Sequence, residues 1–241
     1  MGRSRAQPPP AAAGTHPAGH RGPTRTTAPT LTNAHAAPAS SVTTADDGWY
    51  RGLTGFAQHT GWLHTIMIAY TTLGVALIAA LALAGWWVAR RAADRTAMAA
   101  VAWTGAATAL CVGLGLGLKQ VFAEVRPCDA LAGVATVQPC PGPSDYSFPS
   151  DHAVIAAALA AGVYLINRGL GAVAAVLALL EAFSRVYLGQ HYPHDVAAGL
   201  ALSAAVLFGG WPLARRPLTR ILEALERTAL RPLLTSAPQE A

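Results

Sequence analysis

Charge is what this chain has least of. Only 12% of its 241 residues are Asp, Glu, Lys or Arg, against roughly a quarter in an average soluble domain. With 53% hydrophobic residues, that scarcity argues against an ordinary water-soluble domain. Cysteine is nearly as rare, at three residues. No CxxC and no Cys/His cluster occurs, which excludes a zinc site of the usual spacing. The net charge of +5 is not arranged as a basic stripe with interleaved aromatics, so a nucleic-acid partner is set aside. No carboxylate cluster suited to magnesium is evident, and no cofactor is implied. An apolar signal-peptide core is also lacking at the start of the chain.

What is present in quantity is long apolar stretches. Runs near the roughly 20 residues that a spanning helix needs lie at about 62–88, 97–118, 149–168, 169–188 and 194–213. The third and fourth are separated only by "NRG", which predicts a tight helical hairpin. Ala and Gly dominate the runs, as suits close packing in lipid. Residues 47–61 carry Trp49, Tyr50, Leu53 and Phe56 among polar groups, the pattern of a helix lying in the membrane interface. The expectation is all-α: an integral membrane bundle of about five transmembrane helices with an N-terminal interfacial helix.

Three segments follow from composition. Residues 1–46, rich in Pro, Ala and Thr, read as a disordered tail whose His16, His20 and His35 carry no role. Residues 47–212 form the membrane domain. Residues 213–241 read as a basic amphipathic tail, with Leu218, Ile221, Leu222, Leu225 and Ala229 at helical spacing, lying on the inner leaflet or packed under the bundle. The short loops after the first, third and fifth runs hold the Lys/Arg excess ("ARRAADR", Arg168, "ARRPLTR"). All fall on one side of the bundle, which the positive-inside rule makes cytoplasmic.

The apolar pattern is broken in three places. "KQVFAEVRP" holds Lys119 and Arg126, "SFPSDH" holds Ser150, Asp151 and His152, and "SRVYLGQHYPHD" holds Ser184, Arg185, His191 and Asp195. On this topology all three lie at the opposite, outer side. Three cations and a hydroxyl, beside the unpaired N–H groups of a helix N-terminus, make an anion site. His191 and Asp195, four apart, share a helical face, so the carboxylate can orient one ring nitrogen and leave the other as nucleophile or base. His152 is then free to act as an acid. This is a kit for phosphoryl transfer through a phosphohistidine, with cations supplying the charge stabilisation.

The order Lys-x6-Arg-Pro, Pro-Ser-x-His, Ser-Arg-x5-His-x3-Asp resembles the type-2 phosphatidic-acid phosphatase superfamily, which shares its site with vanadium haloperoxidases. The resemblance covers roughly residues 47–212. It implies a metal-independent reaction in which Lys119, Arg126, Ser150 and Arg185 bind phosphate, His191 attacks, Asp195 orients it and His152 protonates the leaving group. Asp151 replaces the usual Gly of the second motif. It is counted with the phosphate-binding set through its backbone N–H, its carboxylate pointing away or pairing with a cation, and the bland reading is a first-turn helix residue favoured by the dipole. Both this replacement and the shortened N-terminus are most like the bacterial undecaprenyl-diphosphate phosphatases. The implied partner is a phosphorylated lipid in the plasma membrane, met on the extracytoplasmic side.

Bland readings stand beside these. Lys119 could be a snorkelling anchor, Ser150 a helix cap, and His194 an interfacial ring filling no motif position. Glu181 lies one turn before Arg185, at a spacing that suits an ion pair. Cys128 and Cys140 flank the long outer loop, as a disulfide staple or as two free thiols. Phosphatidic acid, phosphatidylglycerol phosphate and a non-catalytic phospholipid binder are the competing functions.

Overall fold

The structure, a computed structural model, describes residues 41–236. Residues 1–40 and 237–241, with the three tail histidines, lie outside the described residues. Among those described there are eight helices and no strand: α1 (Ser41–His59), α2 (Gly61–Arg91), α3 (Arg95–Phe122), α4 (Pro127–Ala130), α5 (Asp151–Ile166), α6 (Arg168–Tyr187), α7 (Pro193–Leu225) and α8 (Arg231–Leu234).

Helix ends follow local chemistry. Asp94 accepts from the N–H groups of Thr96 and Ala97 and starts α3. Asn167 closes α5 and opens α6 in one residue, its side chain accepting from Leu170 N–H. α2 buries Met67, Gly74, Ile78, Gly85 and Ala89, while Trp62, Leu73, Leu77 and Leu83 point outward. Bulky apolar groups on the outer surface suit a helix facing lipid.

α5 is the axis of the bundle, packed by α2, α3, α6 and α7. On one side Ala156, Ala160 and Val163 meet Ile78, Ala174 and Ala178. On the other Val154, Ala158 and Ala161 meet Ala107, Cys111 and Leu207. Alanine on nearly every turn lets four neighbours approach at once. Gly199 completes the fit, since a Cβ there would lie 3.1 Å from Ser150 O and Val154 N.

Three details differ from the sequence reading. Four helices, α2, α3, α6 and α7, are long and apolar enough to cross a membrane, whereas α5 has only 16 residues. At about 1.5 Å per residue it is roughly 24 Å long. Enclosure by its neighbours, not length, holds it. The interfacial helix starts at Ser41, inside the stretch read as tail, because tertiary partners of Asp46 and Tyr50 secure its first turns. The fifth apolar run does not stop near Leu213. α7 continues through Pro212 and Pro217 to Leu225. Each proline removes one donor, but Trp211, Leu218, Leu222 and Leu225 pack with Trp86, Ala89 and Met98, which carries the helix past them.

The two ends of the bundle differ in chemistry. At one end Arg90 Nε donates to Pro232 O at 2.6 Å and Arg95 pairs with Glu226 at 2.9 Å, joining the α2–α3 turn to the end of α7. Ile166, beside the Arg168 turn, packs in the same cluster. The three polar motifs gather at the other end, where α1 also lies: Tyr50 Oη donates to Gly189 O at 3.0 Å. The chain is a multi-pass membrane protein.

Candidate active site

Each motif arrives at a helix terminus. Lys119 is in the last turn of α3, which ends at Ala123 in the left-handed conformation (φ 44°) and releases an extended segment leading to Arg126. Ser150 is the residue before α5, and Arg185 is in the last turn of α6. Tyr192 precedes α7, Pro193 is its first residue and Asp195 its third. The turn into His191 uses Gly189 at φ 82°, where a side chain would be strained and would strike Thr136.

The histidine at the centre is fixed from both sides. His191 Nδ1 lies 3.3 Å from Asp195 Oδ2, and Nε2 lies 3.1 Å from Arg126 Nη1. A carboxylate can only accept and a guanidinium can only donate. The ring is therefore the neutral tautomer with hydrogen on Nδ1 and the lone pair on Nε2. Burial pushes its pKa down, the Asp195 hydrogen bond opposes that, and Arg126 adds to the fall, leaving it at about 4. A neutral ring at pH 7 is what nucleophilic attack requires.

Asp195 is fully buried, and its Oδ2 accepts three donors: His191 Nδ1, Tyr192 N–H at 2.8 Å, and Ser147 Oγ. The bond to Tyr192 N–H is the return half of a capping box. One carboxylate thus starts α7 and orients the ring.

The cations form a second layer. Arg126 Nη1 also donates to Gln190 O at 2.9 Å, its Nε donates to Asp145 O at 2.8 Å, and its Nη2 meets Asp145 Oδ1 at 3.0 Å. Lys119 Nζ lies 2.9 Å from Asp151 Oδ2 and 3.5 Å from Asp145 Oδ1, and donates to Tyr146 O at 2.8 Å. Burial raises the Asp145 pKa, but the bonds and charges of Arg126 and Lys119 outweigh it and hold the carboxyl below its ordinary range. The Asp151 carboxylate is paired with Lys119, and Asp151 is the first residue of α5.

Arg185 and His152 share the wall of a cavity of about 450 Å³ with Thr71, Val75 and Gln138. Arg185 Nη1 donates to Thr71 Oγ1 at 3.1 Å, and Thr71 in turn donates to Glu181 Oε1 at 2.8 Å. Glu181 therefore reaches Arg185 through a hydroxyl, not through the direct pair that the spacing suggested. Ser150 Oγ and Arg185 Nε are buried at this centre, and neither has a hydrogen-bond partner among the described residues. Ser150 is not acting as a side-chain cap. Its N–H instead donates to Asp195 O at 3.2 Å, tying the second motif to the third.

All eight predicted centre residues thus meet at one end of the bundle. Cys128 and Cys140 are joined by a disulfide with Cα atoms 5.9 Å apart, closing the segment just after Arg126. Cys111 is free and buried. Sequence reasoning missed Ser147, Thr71, Asp145 and Gln190. Of these only Thr71, a hydroxyl inside an apolar run, left a trace in the pattern. It also left His194 as an interfacial ring. In the structure His194 is instead surrounded by the carboxylates of Asp46, Glu124 and Asp195.

Comparison with known proteins gives the family. A family model described as the PAP2 superfamily matches residues 100–217. The chain belongs to this superfamily and is a membrane phosphatase acting on lipid phosphates. It is 30% identical over 159 residues to the undecaprenyl-diphosphatase BcrC of Bacillus subtilis (strain 168), covering 66% of this chain and 79% of that one. It is 35% identical over 158 residues to decaprenylphosphoryl-5-phosphoribose phosphatase of Mycobacterium tuberculosis, covering 65% and 73%. In fold it is similar to the crystal structure of a transmembrane PAP2-type phosphatidylglycerolphosphate phosphatase from Bacillus subtilis. That match has a TM-score of 0.52 at 23% identity and covers 79% of this chain and 90% of that one.

Proposed function

We propose that the protein removes the terminal phosphate of a polyprenyl diphosphate, undecaprenyl diphosphate being the best candidate, through a phosphohistidine on His191. The observation that carries this is the tautomer. Nδ1–H is held by Asp195, and the Nε2 lone pair faces the Arg126 guanidinium, where a phosphate would dock. Phosphate oxygens would give Ser150 Oγ and Arg185 Nε the partners they lack. Arg126, Arg185 and Lys119 supply the positive field for an equatorial charge.

In the first step Nε2 attacks phosphorus and the bond to the bridging oxygen breaks. His152 gives its proton to that oxygen, and the lipid monophosphate leaves. In the second step His152 takes a proton from water. The resulting nucleophile attacks phosphorus, the P–N bond breaks, and inorganic phosphate departs with His191 restored. Asp195 faces the positive charge that His191 acquires in between.

The basic turns at the far end support a site on the extracytoplasmic face. The lipid tail stays in the bilayer while the headgroup enters the site. A second reading is a lipid phosphate monoester, such as phosphatidic acid or phosphatidylglycerol phosphate. It is favoured by the 35% identity to a relative named for a phosphorylated decaprenyl sugar.

The test is phosphate release in detergent with EDTA present, from polyprenyl diphosphate and from phosphatidic acid, by the wild type and His191→Ala. Release that survives EDTA and is lost in the variant is expected, and the faster lipid names the substrate class. Release undiminished in His191→Ala refutes the nucleophile. Binding of both lipids without any release makes the protein a binder instead.

A further inference from the structure

His194 fills no motif position, yet it is the most heavily partnered histidine at this end of the molecule. Its backbone N–H donates to Asp46 Oδ1 at 3.1 Å, and its Nδ1 lies 2.7 Å from Asp46 Oδ2. Its Nε2 lies 3.1 Å from Glu124 and 3.3 Å from Asp195 Oδ1. The rings of Tyr192 and Phe148 stack on it at 5.3 and 5.7 Å between centroids. Those groups come from α1, from the segment after α3, from the segment before α5, and from α7 itself.

Both ring nitrogens therefore face carboxylate oxygens. A neutral imidazole has one hydrogen and would turn a lone pair toward one of them. The arrangement is that of an imidazolium, and the two stacked rings are also suited to a cation. Asp195 Oδ1 is buried and accepts no geometrically good hydrogen bond, and His194 Nε2 lies 3.3 Å from it. The other oxygen, Oδ2, is the one that serves His191.

We propose that His194 is a positioning residue for the phosphatase reaction: clamped as a cation between Asp46 and Glu124, it holds the outer oxygen of Asp195, so that the inner oxygen stays on His191 Nδ1. It also fastens α1 across the site. Without it, three carboxylates would face one another with no intervening charge, and Asp195 Oδ1 would be left buried with no cation beside it, weakening the hold of the carboxylate on His191. The inference rests on the phosphohistidine reading given above.

Two measurements test it. In ¹⁵N-histidine NMR of the wild type at pH 7, one ring with both nitrogens protonated is expected, and it should disappear in His194→Asn. This readout does not depend on any substrate. A neutral ring at His194 overturns the proposal. In the phosphate-release assay, His194→Asn should lower kcat about 10- to 100-fold, the range seen when an outer partner of a working group is lost, with KM within about threefold. His194→Asn combined with Glu124→Gln should recover several-fold of that loss, because the uncompensated charge is gone. Unchanged kcat, or a double variant no better than the single, overturns it. Should His194→Asn fail to fold, Asp46→Asn keeps the ring and removes one clamp. A several-fold fall in kcat is then expected, and no change overturns the proposal. If the wild type itself releases no phosphate, the phosphatase reading fails, while NMR still decides the state of His194.

Discussion

Replacing Asp195 by Asn keeps size and shape but removes a charge. The side chain is fully buried, so solvent cannot make up the loss. An Asn carbonyl could still accept from Tyr192 N–H and Ser147, which preserves the start of α7. What disappears is the interaction with the positive ring that forms when His191 bonds to phosphorus. At the 3.3 Å separation seen here, two unit charges at an effective dielectric constant of about 20 interact by roughly 5 kcal/mol. At about 1.4 kcal/mol per tenfold in rate, kcat should fall by three to four orders of magnitude. Asp195 lies behind His191 from the cations, so KM should stay within about threefold. The assay is initial-rate phosphate release on protein shown to be monodisperse and to melt near the wild-type temperature. A folded Asp195→Asn enzyme with kcat within tenfold of wild type would refute the charge argument and the orientation of His191 with it.

Three further outcomes follow from the same geometry. Because His191 is held at about 4, it is neutral above that pH and protonated only below it. Its ring signal in the free protein, identified by comparison with His191→Ala, should titrate below pH 5, and a midpoint near 6.5 would contradict the burial argument. Arg185→Lys keeps the charge but loses the fork that meets both Thr71 and a phosphate oxygen, so kcat/KM should fall about 10- to 100-fold, and an unchanged value would remove Arg185 from the site. Opening the Cys128–Cys140 bridge, which spans 12 positions, removes a loop constraint worth about 3 kcal/mol. A lower thermal midpoint and faster proteolysis within 128–140 are expected on adding a reductant, and an unaltered midpoint would show that the loop is held by other contacts.

The parts of this protein that were legible in the sequence are those written in periodicity and type. Apolar runs announced the long helices, and three clusters of cations, histidines and carboxylates announced the centre. What was hidden belongs to partners distant along the chain. Asp145 reads as one more residue in a Pro/Gly loop until Arg126 and Lys119 close on it. Ser147 is an unremarked neighbour of the second motif until it meets Asp195, 48 residues away. The early start of α1 depends on the bond between Asp46 and His194, and no composition of residues 41–46 could disclose it. The continuation of α7 past two prolines is likewise a matter of packing against α2 and α3. Local propensity says stop, and the tertiary contact overrides it.

The single residue between α5 and α6 has a consequence for how this gene can vary. Ser150 and His152 stand at the start of one helix and Arg185 near the end of the next, with only Asn167 between them. The two helices act like the arms of a calliper whose hinge has no play. Inserting or deleting one residue in either arm would slide its tip by about 1.5 Å and swing it through about 100°, and nothing at the turn could absorb the error. Length changes should therefore be tolerated in the exposed stretch 142–144, between the disulfide and Asp145, and nowhere between Ser150 and Arg185.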